Sequence, residues 1–432
     1  MPSKQASKDL LQSPKGMRDV LGADYYRYQG FFEKAQEIAV YYGFQPIETP
    51  LLEKEALFKR SVGEHTDIVE KEMYALKTKG GDKLVLRPEG TASVMRAYIE
   101  HGMQSRPQPV MLYYSGKFFR HERPQKGRLR EFRQFGLEIL GTTKSIADAI
   151  IIRTSFDILE DAGFKNLSIN INSIGDAESQ KTYTKALVTY YKSHIKNLCA
   201  HCKQRIKTNP MRLLDCKSSS CAELKNDAPD SLAHLSSESR KHFKEVLEYL
   251  DSMDIPYTID KTLVRGLDYY TKTVFEIKEN SAQNDDGEAL SLAGGGRYDG
   301  LSKILGHKKP IPAIGASIGI DRVIDTLETD NLNPRIIKKP KVYFIQLGFE
   351  AKLGSLSIIE ILRKAHIPIA QSLSKDNLSS QLSIAEKMGV PYAVIFGQKE
   401  VLEKSVIVRN MKNHSQDTVK IDKLAQYLKK MR

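Results

Sequence analysis

At 432 residues, with 41% hydrophobic and 28% charged side chains, the chain has the composition of a globular protein long enough for two to four domains. No apolar run approaches the roughly 18 residues that a membrane-spanning helix needs, and the opening MPSKQASKDLLQ lacks the apolar core of a secretory signal and the arginines of a transit peptide, so no membrane partner and a cytoplasmic location are expected. The net charge of +13 is concentrated at one end: residues 331–432 hold 18 Lys and Arg against 8 Asp and Glu, and such a surplus suits a polyanion, because basic side chains gain affinity by displacing counterions from phosphates.

In chain order, residues 1–13 are predicted to be a disordered tail, with the folded part opening at Pro14 in KGMRDVLG. A helix is predicted over about 25–42, followed by GFQPIETPLLE. Up to about residue 177, strand-like runs (KLVLRPEG, PVMLYYSGKFF, EFRQFGLEIL, LSININ) mix with helices near 90–101 and 145–162, the pattern of an α+β domain on an antiparallel sheet. From about 176 to 250 the strand signals vanish, and helical patterns with polar faces mark an insertion. Strands resume at Tyr257 and complete the sheet through a helix expected to start near Ala316, which ends the first domain at 327. Residues 328–340 are polar and form a linker. Beyond it, KVYFIQLG, IPIAQSL, YAVIFG and SVIVRNM alternate with helices, as in a small α/β domain over 341–432.

The densest chemistry lies between Tyr113 and Gly141, where two apolar, strand-like segments flank a basic loop. Alternate residues of an extended segment share a face, so Phe118, Arg120 and Glu122 point one way, and Phe132, Gln134, Gly136 and Glu138 share a face on the returning strand. That face offers a guanidinium for an anion, carboxylates, an amide, an aromatic ring, and a glycine where a ligand could approach the backbone. The chain has no GxxxxGK[ST] loop and no GxGxxG after a strand, so the two common nucleotide cradles are absent.

The segment FRHERPQKGRLREFRQFGLE resembles motif 2 of the class II aminoacyl-tRNA synthetases, and in detail that of the histidyl-tRNA synthetase family. LVRGLDYYTKTVFEI (263–277) is similar to that family's signature, AGGGRYDGL (293–301) to its glycine-rich amino-acid pocket, and AIGASIGIDRVI (313–324) to motif 3. Four such segments in the family's order are specific where one would be weak. The resemblance implies a class II catalytic domain with a helical insertion and an anticodon-binding C-terminal domain. It also implies a homodimer paired through motif 1, matched by the helix over about 25–42 and the GFQPIETPLLE that follows it, with ATP and its Mg2+, L-histidine and the cognate tRNA-His as partners.

By the same resemblance, Arg120 holds the α-phosphate and the histidine carboxylate, Glu122 reads the adenine amino group, and Phe132 with Arg322 sandwiches the adenine. Arg128 or Arg130 reaches the outer phosphates or the tRNA end. Glu89, Gly90 and Thr91 sit at the histidine amino group, with Gln134 nearby, while Glu138, Tyr269 and Tyr270 contact the imidazole. Arg265, opposite Arg120, is the second catalytic arginine. A related, catalytically silent paralogue, the regulatory subunit of ATP phosphoribosyltransferase, typically lacks the C-terminal domain and does not keep RGLDYY intact. Both are present here.

All four cysteines, Cys199, Cys202, Cys216 and Cys221, follow the spacing C-x2-C-x13-C-x4-C. In a reducing compartment that clustering favours a tetrathiolate zinc site over disulfides, with four unligated thiols as the alternative and His201 as a substitute ligand.

Overall fold

The structure is a computed structural model that describes residues 11–63, 66–125, 127–216, 218–283, 289–327, 332–335, 340–373 and 377–431. Most of the tail expected to be disordered (residues 1–10) and residues 328–331 and 336–339 of the expected linker lie outside them. The chain forms two compact units that meet in sequence between Pro334 and Arg335.

In the first unit a helix at Gly22–Tyr41 leads to β1 (Gln45–Pro46). A small antiparallel sheet follows, built from β2 (Leu52–Lys54), β3 (Ala75–Lys77) and β4 (Lys83–Leu86) in the order β2-β4-β3. The hairpin strands β5 (Val110–Phe119) and β6 (Glu131–Leu140) pair along ten residues, with Phe118 opposite Phe132. After β7 (Leu167–Ser173) the chain turns helical, with helices at Ala177–Ser193, Ala200–Thr208, Ser219–Lys225 and Ser237–Ser252. The sheet is then completed by β8 (Tyr257–Ile259), β9 (Thr271–Gln283), β10 (Ala289–Arg297) and β11 (Ala313–Gly319).

Its order is β1-β5-β6-β11-β10-β9-β7-β8, antiparallel except for the edge pairs β1–β5 and β7–β8. Period-two alternation divides the side chains between two faces. Phe135, Leu137 and Ile139 of β6 enter a core with the helices Gly22–Tyr41, Ile146–Ala162 and Ser237–Ser252, each such side chain contributing about 1.5–3 kcal/mol by burial. Phe132, Gln134, Gly136 and Glu138 point to the opposite face, which carries the cleft.

Two local expectations differ from the structure. Ala316 lies inside β11, paired with Leu137 and Gly295, and the helix begins only at Ile320. Central pairing on both sides holds the segment extended. Arg120 and Glu122 lie beyond the end of β5 rather than on it, so strand alternation does not place them.

The second unit has the order β13-β12-β14-β15-β16, from β12 (Val342–Gln346), β13 (Ile369–Gln371), β14 (Tyr392–Phe396), β15 (Ser405–Asn410) and β16 (Gln416–Lys420). The pairs β12–β13 and β12–β14 are parallel, joined by the helices Phe349–Lys364 and Leu378–Lys387, and the rest is antiparallel. Phe344 and Val394 pack on one face, Tyr343 and Ile395 on the other, as a sheet covered on both sides requires. The last helix, Ile421–Lys430, buries Leu424 and Leu428 and exposes Lys423, Lys429 and Lys430.

Candidate active site

A cleft of about 440 Å³ opens on the polar face of the large sheet. It gathers side chains that the sequence scatters over more than two hundred positions: Glu89, Gly90, Thr91, Arg120, Glu122, Phe132, Gln134, Arg265, Tyr269, Tyr270 and Arg322 all line it. Arg128 does too, whereas Arg130 donates to the Glu122 carbonyl at 3.1 Å and packs against Gly16, away from the lining.

At one side of the cleft, Glu89 precedes the helix Thr91–Glu100. Its carboxylate accepts the backbone N–H groups of Thr91 (2.7 Å) and Ala92 (3.0 Å), satisfying donors that a helix start leaves open. Burial raises its pKa above the usual carboxylate range, although these N–H groups and Arg120 oppose the shift. Thr91 in turn donates its hydroxyl to Glu138 at 2.8 Å. Glu138 is fully buried, one layer behind the lining, and its other oxygen accepts the Tyr298 phenol at 2.5 Å. Burial pushes its carboxyl up to about 8, against the pull of those two hydroxyls.

Tyr298, which sequence reasoning did not single out, completes this buried network. Its ring packs 5.8 Å from Tyr269, which in turn lies 4.8 Å from Tyr270. Tyr298 lies one residue past β10, after a register shift between Gly296 and Arg297, so strand alternation does not place it. Gly136 differs from expectation in the other direction: a Cβ there would lie 2.4 Å from the Tyr114 phenol oxygen. Its open side is filled by Tyr114, not left for a ligand, and the same ring leaves no room for a Cβ at Gly90.

Arg120 donates Nε to the carbonyl of Pro88, next to Glu89, at 2.9 Å, with its guanidinium 5.3 Å from the centre of the Phe132 ring. Glu122 pairs loosely with Arg128, at 3.5 Å. Arg322 is fixed by the carbonyls of Gly127 (3.0 Å) and Ser291 (2.8 Å). Its neighbour Asp321 accepts the Tyr28 phenol at 2.6 Å and the Arg133 backbone N–H at 2.5 Å, tying the first helix and β6 to the helix that carries Arg322. Arg265 is paired with Glu276 of β9, lies against Gly294, where a Cβ would come within 2.8 Å of the guanidinium carbon, and has no partner for its buried Nε among the described residues.

Residues 16–323 match the model of the Histidyl-tRNA synthetase family, and residues 341–431 match the Anticodon binding domain. The chain belongs to the histidyl-tRNA synthetase family. It is 42% identical to a histidine–tRNA ligase of Dehalococcoides mccartyi over 98% of this chain and 100% of that one. It is 43% identical to a histidine–tRNA ligase of Caldicellulosiruptor saccharolyticus, over 97% and 99%. The crystal structure of apo S. aureus histidyl-tRNA synthetase superposes with a TM-score of 0.80 at 33% identity, covering 97% and 100% of the two chains.

This member of the histidyl-tRNA synthetase family also carries the cysteine cluster. The four Sγ atoms lie within 4.8 Å of one another, and Cys202, Cys216 and Cys221 are buried. His201 is exposed and not part of the group. Among the described residues no helix is long and apolar enough to cross a membrane.

Proposed function

We infer that this chain joins L-histidine to tRNA-His in two steps. The histidine carboxylate attacks the α-phosphorus of ATP, which enters as its magnesium complex, forming histidyl-adenylate and releasing pyrophosphate. The terminal hydroxyl of the tRNA then takes the histidyl group and releases AMP.

The convergence of Arg120 and Arg265 on one cleft, beside a buried carboxylate and phenol network, carries this reading. Negative charge builds on the phosphates as the carboxylate attacks, and guanidinium groups held in place by Pro88 and Glu276 stabilise that charge without reorganising. Glu122 reads the adenine amino group, with Phe132 and Arg322 on the faces of the ring, and Arg128 serves the outer phosphates. Glu89, with Gly90, Thr91 and Gln134, takes the α-amino group. Glu138, Tyr269, Tyr270 and, in addition, Tyr298 read an imidazole that presents one donor and one acceptor.

The same reading makes the protein cytoplasmic and a homodimer paired through its first helix and the segment after it, in keeping with the exposure of Tyr25, Val40 and Tyr41 on the helix and of Leu51 and Leu52 beyond it. The basic second unit binds the anticodon, the helical insertion lies against the acceptor arm, and one zinc ion on the four thiols completes the cofactors. The deciding experiment is histidine-dependent exchange of pyrophosphate into ATP. Exchange is expected with histidine alone among the amino acids; histidine binding without exchange would instead point to a histidine-sensing regulator.

A further inference from the structure

The cysteine cluster is joined to the catalytic cleft by a short bridge of side chains. Cys199 caps the helix Ala200–Thr208, which carries Cys202; Cys216 follows the turn Pro210–Leu213, and Cys221 lies in the helix Ser219–Lys225. The Cys199 and Cys216 sulfurs are 3.8 Å apart, the edge expected of a tetrahedron with Zn–S bonds of about 2.3 Å. Two backbone N–H groups already point at sulfur, Cys199 N at Cys221 Sγ (3.3 Å) and Cys202 N at Cys199 Sγ (3.4 Å). The Tyr191 ring is packed in the same cluster.

Between Cys202 and Cys216 the chain reaches the segment that carries Arg265. Asn209 Nδ2 donates to Asp268 at 2.6 Å, and Arg212 Nη1 donates to the Gly266 carbonyl at 3.0 Å. Arg212 also pairs with Asp67 at 3.5 Å, beside the cleft-lining Ile68, and Val264 packs against the cysteine cluster itself.

We propose that the four cysteines hold one zinc ion and that this metal knot, through Asn209 and Arg212, positions the 263–270 segment and hence Arg265 for histidine activation. The proposal rests on the ligase reading for its catalytic consequence, while the metal site stands on its own geometry. A metal that closes the loop between Cys202 and Cys216 removes freedom from the residues that grip Gly266 and Asp268. Losing it by chelation or thiol oxidation frees that grip.

The test uses the full chain purified without chelator. Metal analysis is expected to find one zinc per chain, released by a mercurial reagent and lost in the Cys199→Ser, Cys202→Ser double variant. Hydrogen exchange of residues 263–270 should quicken on release. Because the cysteine variant could unfold the insertion, Arg212→Ala and Asn209→Ala test the bridge with the metal in place. Both should keep zinc and lower kcat for exchange roughly three- to tenfold, with KM for histidine nearly unchanged; Asn209→Ala removes one hydrogen bond and should keep the melting temperature, whereas Arg212→Ala also removes the pairs with Asp67 and Asp215. Absence of zinc overturns the site. Zinc present, but with unchanged protection of 263–270 on its removal or unchanged kcat in both bridge variants, overturns the brace. Zinc and protection as expected in a protein without histidine-dependent exchange would leave the site and brace standing and overturn the ligase reading instead.

Discussion

Two arginines meet the same glycine-rich strand and are used in opposite ways. Arg297, at the end of β10, has no exposed side-chain surface, and each of its nitrogens has a protein acceptor. Asp148 takes Nε (3.1 Å) and Nη2 (2.6 Å), Asp299 and the Thr142 carbonyl take Nη1 (3.0 and 2.9 Å), and the Lys144 carbonyl takes Nη2 (3.2 Å). Burial works against the charge on Asp148, but Arg297 and His242 outweigh it and keep the carboxyl below its usual range. Arg265, over Gly294, has one carboxylate partner among the described residues, through Nη1, and lines the open cleft. Donors consumed by the protein make an arginine a structural part, whereas spare donors aimed into a cavity make it available to an anion.

This contrast is sharpest in a pair of substitutions. Arg297→Met leaves the Asp148 carboxylate buried beside His242 alone, so it should cost about 3–5 kcal/mol of stability, read from the denaturation midpoint. The molecules that remain folded should keep most of their exchange activity. A stable Arg297→Met protein with collapsed turnover would move Arg297 into the site and erase the distinction. Arg265→Ala should do the reverse: kcat for exchange falls about 10²- to 10³-fold, corresponding to about 2.7–4 kcal/mol of lost charge stabilisation. KM for histidine and the melting temperature should change far less, because Glu276 is already partly exposed to water. Equal kcat in parent and variant would remove Arg265 from the chemistry.

The same contrast shows what could be read from the chain and what could not. The β6 face was legible because Phe132, Gln134, Gly136 and Glu138 keep strict alternation along a ten-residue strand. Arg120 and Glu122 could be assigned only by resemblance, since they lie past the end of β5, where the period no longer applies. Tyr298 was not singled out because it lies past the end of β10, behind glycines that admit Arg265, Tyr270 and the β11 backbone. Strands β3 and β16 gave no signal: all three residues of β3 are exposed, and β16 buries only Val419. The Arg297–Asp148 pair spans 149 positions, a long-range contact that no local pattern encodes.

A smaller effect tests whether the buried network behind the lining reads the imidazole. Glu138→Ala should weaken histidine binding by about 1–3 kcal/mol, through an unpaired ring nitrogen, and leave ATP affinity little changed. The pH profile is more specific. With its carboxyl raised to about 8, Glu138 carries a proton at neutral pH, and a neutral imidazole beside it makes a pair that shares one proton. Below the imidazole's ordinary pKa of about 6.5 the two partners together bring two protons and one must leave, so affinity falls as pH falls. Above about 8 they bring none and one must be taken up, so affinity falls as pH rises. Glu138→Gln cannot lose a proton, so its profile should lack the alkaline limb relative to the parent and keep the acid limb; the histidine amino group titrates equally in both and cancels. The empty protein gives a second reading of the same shift. Between the ordinary 4.5 and about 8 the folded state holds a proton that the unfolded chain has lost, so stability should decline as pH rises through that window and level off above it. Glu138→Gln should not share that decline. An alkaline limb of equal depth in parent and Gln variant would detach Glu138 from the imidazole and leave it, like Arg297, a part of the frame.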